Sequence, residues 1–209
     1  MSAADPARPT FFLATPLHDD RVHVSYMAGV LQLVAAERGR VTVAKYTSQN
    51  LFLARDILTA HFLRSNATHL LWVDSDIGWT AADAQALLAT GKDFVGGLYA
   101  KKQEDRALAP EQFGQSEGAL VEVRHAATGF LLLSRSCVER MAAAHPELQY
   151  ETALGTTHAL WAPLFGKLPY GEDVSFGLRW RKLGGQIWVH TQVILKHSGD
   201  YAYLPAPAQ

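Results

Sequence analysis

The sequence predicts an α/β fold on a mostly parallel sheet, and three features carry that prediction. In the first half, short segments that are apolar throughout alternate with stretches of helical period. The apolar segments stop abruptly at polar, acidic or Gly/Pro positions, as strands buried on both faces do. At 209 residues and 48% hydrophobic content, the chain supports one substantial core and falls short of two full ones. Helices should therefore cover both faces of the sheet, and ligands should sit beyond the carboxyl ends of its strands.

Thr10-Phe-Phe-Leu-Ala-Thr15 reads as the first strand, ended by Pro16 and followed by the polar loop Leu17 to Arg21. Val24 to Glu37, apolar around most of its turns and ended by Gly39, is a helix. The alternating, β-branched Val41 to Tyr46 is the second strand. Leu51 to Arg64 places Leu51, Ala54, Leu58 and Phe62 on one helical stripe, and His69 to Val73 is an apolar strand that stops at Asp74-Ser75-Asp76. A helix at Ala81 to Leu88 and a strand at Phe94 to Leu98 follow. Lys101 to Gly118 is polar without a clear period and reads as a surface loop. Strands at Leu120 to Arg124 and Phe130 to Leu133 lead to a helix at Arg135 to Ala144. Pro146 to Pro169 reads as irregular and aromatic-rich, before a helix at Glu172 to Leu183, a strand at Gln186 to His190 and the segment Val193 to His197. The expected division is a disordered N-terminus at 1–9, one domain over 10–203 and a fraying tail at 204–209.

Lys and Arg total 19 against 20 Asp and Glu, so a net charge of -1 provides no global field toward nucleic acid or an anionic membrane. The single cysteine, Cys137, cannot form an intramolecular disulfide, which fits a reducing cytoplasm. No run approaches the length of a membrane span and the start carries no secretory pattern, so a soluble or at most membrane-peripheral protein is expected.

Three features carry chemistry. Asp74-Ser75-Asp76 sets two carboxylates at a strand end, where they repel unless a cation or several donors lie between them. Mg²⁺ and Mn²⁺ take oxygen ligands of this kind together with substrate phosphates, although a turn capped by Asx side chains accounts for the same residues. Glu172 and Asp173 open a helix directly after the aromatic loop, where compensation of the helix dipole is an equal reading for Glu172. His197, beside the flexible Ser198-Gly199, offers an imidazole after a final apolar strand.

These residues resemble, in order, the motifs of GT-A glycosyltransferases, particularly small bacterial and phage enzymes similar to family 2. The resemblance spans Thr10 to Gly199 and rests on Ala14-Thr15-Pro16, Asn50 to Arg55, Leu71 to Asp76, Ala127-Thr128-Gly129-Phe130, Gly171-Glu172-Asp173 and His197-Ser198-Gly199. It implies a Rossmann-like GT-A sheet and a nucleotide-diphosphate sugar as donor. By this likeness Asp76 binds Mn²⁺ or Mg²⁺ with His197. Asp74 joins the metal shell or holds the donor ribose, with Ser75 beside it. Asp173 is the base that accepts the acceptor's proton, and Glu172 bonds donor or acceptor hydroxyls. Thr15 and Pro16 line the nucleoside with Asn50 and Arg55, although Arg55 also reads as an exposed helix charge pairing with Asp56. Thr128 and Gly129 let a sugar approach the backbone. Trp161, Phe165 and Tyr170 either form a stacking wall for the acceptor or pack the loop down.

The chain departs from the family in lacking a long C-terminal extension, and only Asp19 and Asp20 stand near the usual uracil-contacting position. An inverting transferase is the leading expectation, with a retaining enzyme of the same fold as its variant. A sugar-phosphate nucleotidyltransferase would need a glycine-rich loop after the first strand, where Pro16 to Arg21 has no glycine. A non-catalytic nucleotide-sugar-binding protein would not need all of Asp74, Asp76, Asp173 and His197. Glycans, lipid-linked sugars and small molecules are the expected acceptors, and nothing in the charge pattern supports recognition of a nucleic-acid backbone.

Overall fold

The computed structural model describes residues 8–100, 112–199 and 202–203. Strand β1 (Phe11–Leu17) is followed by α1 (Val24–Glu37), β2 (Val41–Thr47), α2 (Leu51–Arg64) and β3 (His69–Val73). Next come β4 (Ile77–Gly78), α3 (Ala81–Ala89), β5 (Phe94–Tyr99), β6 (Gln112–Glu117), β7 (Leu120–Val123), β8 (Phe130–Ser134) and α4 (Arg135–Ala144). The hairpin β9 (Gln149–Thr152) and β10 (Gly155–His158), helix α5 (Glu172–Lys182) and strands β11 (Trp188–Ser198) and β12 (Ala202–Tyr203) complete the chain.

The main sheet runs β2-β1-β3-β8-β5-β11-β7-β6, and within that row only β8 and β7 oppose the other strands. Alternation along the buried strands divides the core. Phe12, Ala14, Leu70 and Trp72 face α2, α4 and α5. Phe11, Leu13, Leu71 and Val73 face α1 and α3 on the other side. Each Phe, Leu and Val side chain among them, once buried, contributes roughly 1.5–3 kcal/mol. No helix among the described residues is long and apolar enough to cross a membrane.

Local signals end the helices as their sequences suggest. His23, Asn50 and Ser134 accept backbone N–H bonds at the starts of α1, α2 and α4, and Thr80 with Asp83 forms a capping box on α3. Helix α1 is apolar on both sides yet buries only one: Tyr26, Val30 and Leu33 face the sheet, while Val24 and Leu31 are 77% and 64% exposed. Gly29 lets this helix sit against the Trp79 indole, where a Cβ would come within 2.5 Å.

Several expectations change. Pro16 lies inside β1 rather than ending it, opposite Tyr46 of β2. The Leu17 carbonyl bonds to Ser48 on the β2 side, so the missing Pro16 donor points toward β3, whose pairing stops at Ala14. Gln112–Glu117 is an exposed strand paired to β7, not loop, while residues 101–111 of that expected loop lie outside the described residues. The same holds for 1–7 of the expected disordered start and for the tail at 204–209. The two final segments are one strand, β11, with a bulge between Val189 and Ile194.

The stretch Pro146 to Pro169, expected to be irregular, contains a hairpin because α2 supplies it with polar anchors. Asp56 accepts the Trp161 backbone N–H at 3.0 Å and the Tyr150 hydroxyl at 3.4 Å, and its carbonyl accepts from Thr157 at 3.0 Å. Thr59 accepts the Trp161 indole N–H at 2.9 Å, and Arg179 of α5 donates to the Leu160 and Ala162 carbonyls. Burial pushes the Asp56 carboxyl up to about 7, against the bonds from Trp161 and Tyr150, and pushes the Tyr150 phenol up to about 12.

A carboxyl whose folded pKa is raised binds a proton in the native state between its unfolded value of 3.8 and about 7, so its contribution to stability falls as pH rises through that window. Asp56→Asn, which mimics the protonated form, should match wild type near pH 4 and gain on it up to about pH 7, with a constant lead above that. Thermal midpoints of both proteins across that range check this, and a difference that is constant below about pH 7 or of opposite slope contradicts it.

Candidate functional site

The site forms where β3 runs out. The Asp74 N–H donates to the Gly129 carbonyl at 3.0 Å, and the Ile77 N–H donates to the Asp74 carbonyl at 3.1 Å, closing a turn through Ser75 and Asp76. Ser75 turns its carbonyl to the His23 N–H at 2.8 Å, which ties the turn to the start of α1. Strand β4 then pairs antiparallel with the end of β11, placing Ile77 opposite His197, while the Ser198 N–H donates to the Asp76 carbonyl at 2.8 Å. That pairing, between segments over a hundred residues apart in sequence, brings His197 Nε2 to 3.4 Å from Asp76 Oδ2.

The tautomer follows from the other ring nitrogen. His197 Nδ1 lies 2.8 Å from the Ala100 carbonyl, which can only accept, so Nδ1 carries the proton and donates. Nε2 then faces a carboxylate oxygen, and two lone-pair donors at that distance require a proton or a cation between them. A histidine fixed through Nδ1 with Nε2 beside a carboxylate is a donor pair suited to a divalent ion. Among the described residues no group of three or more His, Cys, Asp or Glu side chains could hold a metal. The expected set of Asp74, Asp76 and His197 is therefore not gathered: Asp74 turns its Oδ1 to Arg55 instead, at 2.9 Å from Nη2.

Arg55 is 1% exposed, so the reading as a surface charge paired with Asp56 does not hold. Its guanidinium lies over the rings of Trp72 and Trp161, at 5.1 and 5.5 Å from their centroids, and its Nε stands 3.7 Å from Glu172 Oε1. Its Nε and Nη1 are buried without hydrogen-bond partners among the described residues. One buried cation thus joins the acid at the end of β3 to the acid that opens α5. Beside Glu172, Asp173 Oδ1 accepts the Val174 N–H at 2.7 Å, and Gly171 contributes no side-chain cap to α5.

Tyr99, at the end of β5, is a site residue that sequence reasoning missed; the only signal was an apolar strand running into a polar segment. Its hydroxyl accepts the Gly129 N–H at 2.7 Å and its ring meets His197 edge-on, 5.4 Å between centroids. Burial drives its phenol far above the ordinary range, and the charges of Asp74 and Asp173 add to the rise, so it stays neutral. A Cβ on Gly129 would lie 2.5 Å from that hydroxyl. The room expected to admit a sugar at Gly129 is occupied by Tyr99, and Thr128 beside it is buried.

The expected nucleoside residues are spread along the β1 end. Thr15 is buried with its hydroxyl 2.5 Å from that of Tyr26, Pro16 is buried in the strand, and exposed Asn50 caps α2 by accepting the Leu53 N–H. The polar groups presented there are instead Asp20, bonded by Lys45 and Thr47 at 2.8 Å each, and Asp19, paired with Arg21. Trp161 is fully buried, stacked on Phe176 at 4.0 Å, so it packs the core and forms no wall for an acceptor. Phe165 and Tyr170 are exposed ahead of α5. The edge thus carries Asp74, Asp76, Glu172 and Asp173 against one guanidinium and one imidazole, an acidic field that favours a cation and a proton acceptor.

The chain matches no protein-family model and no curated protein sequence. Its structure is similar to the crystal structure of A197 from STIV, with a TM-score of 0.58 at 14% identity over 95% of each chain. It is also similar to S. aureus TarS 1-349, solved in complex with UDP-GlcNAc, with a TM-score of 0.49 at 13% identity over 96% of this chain and 59% of that one. At 14% identity the likeness to A197 concerns the fold alone, which is the GT-A-like, mixed and mostly parallel sheet flanked by helices that the sequence resemblance implies.

Proposed function

We propose that the chain is a glycosyltransferase that moves a sugar from a nucleoside-diphosphate donor to an acceptor hydroxyl. The observation that carries this reading is the Asp76–His197 pair at the carboxyl edge of a GT-A-like sheet, with neighbouring Asp74 joined through Arg55 to the first turn of α5. Asp76 and His197 would hold Mn²⁺ or Mg²⁺, and diphosphate oxygens would supply the rest of the shell, as such ions commonly require. Once bound, the ion supplies Lewis-acid stabilisation of the charge on the departing diphosphate.

The remaining work belongs to the protein. Arg55 holds Asp74 through Oδ1, leaving its other oxygen for a donor ribose hydroxyl. The nucleoside lies over the ends of β1 and β2, where Asp20, Lys45 and Thr47 form a hydrogen-bonded rim. Glu172, beside Arg55, bonds a sugar hydroxyl. Asp173 keeps Oδ1 on the Val174 N–H and uses Oδ2 as the base. The acceptor oxygen bonds to the anomeric carbon as that carbon's bond to the diphosphate oxygen breaks. The electron pair leaves with the diphosphate, the proton passes to Asp173, and attack from the opposite face inverts the centre.

Calorimetric titration of UDP, GDP, CDP and dTDP, with and without Mn²⁺, tests the donor site. One diphosphate should bind only with the metal, and Asp76→Ala should abolish that binding; absence of binding by all four would remove the reading. Asp173→Asn should keep diphosphate affinity within about two-fold while lowering transfer by 10²-fold or more, in the range of general-base loss. A variant that transfers at the wild-type rate would unseat Asp173.

Arg55 makes a separate prediction. Arg55→Met leaves Asp74 and Glu172 facing each other without a cation, at a cost of about 2–3 kcal/mol for a partly buried pair. In urea unfolding, adding Asp74→Asn to Arg55→Met should restore part of that loss. Strict additivity of the two substitutions would show that the pair is not coupled.

A further inference from the structure

On the α5 side of the sheet, an open cleft of about 150 Å³ lies beside the carboxyl end of β5. Leu98, Val123, Ala126 and Val189 give it an apolar floor, and Tyr99 closes one end. Among the described residues, its charged or titrating lining residues besides Tyr99 are Arg124 and His125, both exposed. Among the described residues no carboxylate lines it, and neither Arg124 nor His125 is paired with one. The Arg124 guanidinium rests on the Phe113 ring at 4.4 Å, and Arg181 covers the same ring at 4.1 Å, so the wall carries a second cation behind the first. The neighbouring acid, Glu122, is engaged elsewhere, 3.6 Å from Arg181 and 3.3 Å from the Gln186 amide.

The place of this cleft relative to the acids of α5 can be read along the helix. A Cβ on Gly177 would stand 4.0 Å from the His125 Cβ, so Gly177 faces the cationic wall. Asp173 precedes Gly177 by four residues, one turn earlier on the same helical face, about 6 Å along the axis. At the other end, Tyr99 bonds to Gly129 and packs against His197. The cleft therefore leads from the base and the Asp76–His197 pair to a wall of positive charge.

We propose that this cleft binds the acceptor, and that the acceptor carries an anionic group, a phosphate or a carboxylate, held by Arg124 and His125. The inference rests on the transferase reading. The field orients such a molecule: Asp74, Asp76, Glu172 and Asp173 repel its anion, while Arg124 and His125 attract it, so its hydroxyl end is turned toward Asp173. The apolar floor suits the C–H face of a sugar ring. A neutral sugar would leave the Arg124 guanidinium and the His125 ring N–H to water.

The test is calorimetric titration of the full chain with glucose, glucose 6-phosphate and glucuronate, on wild type, Arg124→Ala, Arg124→Lys and His125→Ala. At least one of the two anions should bind wild type ten-fold or more tightly than glucose, and which one does so tells phosphate from carboxylate. Arg124→Ala should weaken that anion about ten-fold, the scale of one charge-assisted contact, with Arg124→Lys in between. Equal binding of glucose, binding of neither anion, or an unchanged affinity in Arg124→Ala overturns the proposal. Nucleoside diphosphate binding with Mn²⁺ should be the same in all four proteins. Its absence from wild type would count against the transferase reading, whereas an anion failure with diphosphate binding intact counts against the cleft alone.

Discussion

A guanidinium sealed from water must be compensated where it stands, and Arg55 settles much of the arrangement around it. It sits over two tryptophan rings and reaches Asp74 at the end of β3 and Glu172 at the start of α5. Those elements are far apart in sequence, and without the cation their acids would repel. Asp74 stays at the site because Arg55 lies beneath it, and the first turn of α5 is drawn to the same edge. The two nitrogens of Arg55, Nε and Nη1, that find no hydrogen-bond acceptor among the described residues mark the cost of this placement. A core built only for stability would replace the pair with apolar side chains, since buried ion pairs gain little over hydrophobic packing.

The second constraint is the short pairing of β4 with β11. After its bulge β11 pairs with β5 as far as Leu195, opposite Tyr99 where β5 ends, and its last residues run beside Gly78 and Ile77. Asp76 and His197 are consequently placed by backbone bonds, the Asp76 carbonyl receiving the Ser198 N–H. Tyr99 braces the imidazole from the side and fills the space over Gly129, whose carbonyl in turn holds the Asp74 N–H. The acids are thus fixed by the sheet rather than by a free loop, which is the condition for a site that need not reorganise when charge develops.

The first half of the fold was legible because its signals are local. Apolar runs such as His69–Val73 and capped, periodic helices such as Leu51–Arg64 declare themselves within a dozen residues. The second half was less so. The hairpin at Gln149–His158 depends on Asp56 and Thr59, about a hundred residues earlier, and no local pattern announces such bonds. Pro16 misled because a proline usually ends a strand, yet here its missing donor falls where pairing with β3 has already stopped. At the site, the acids stood out as motifs, while Tyr99 looked like one more aromatic at a strand end. The polarity of Arg55 suggested an exposed helix face, and only the tertiary contacts with Trp72 and Trp161 reveal that it is buried.

The division of charge across the molecule follows from these placements. Strand ends β3 and β4 and the first turn of α5 collect acids, and the single buried guanidinium among them does not neutralise the group. Along α5 the sign reverses: Arg179, Arg181 and Lys182 occupy its last turn, where cations are favoured by the helix dipole. Arg181 leans back over Phe113 toward Arg124, so the cationic wall of the cleft continues the positive end of the same helix whose negative end holds Asp173. A helix whose dipole alone would set these charges would leave them as surface decoration. Here Gly177, in the middle of that helix, leaves room for the Ile187 side chain and lies alongside His125, so the helix that begins at Asp173 runs past the wall of the cleft.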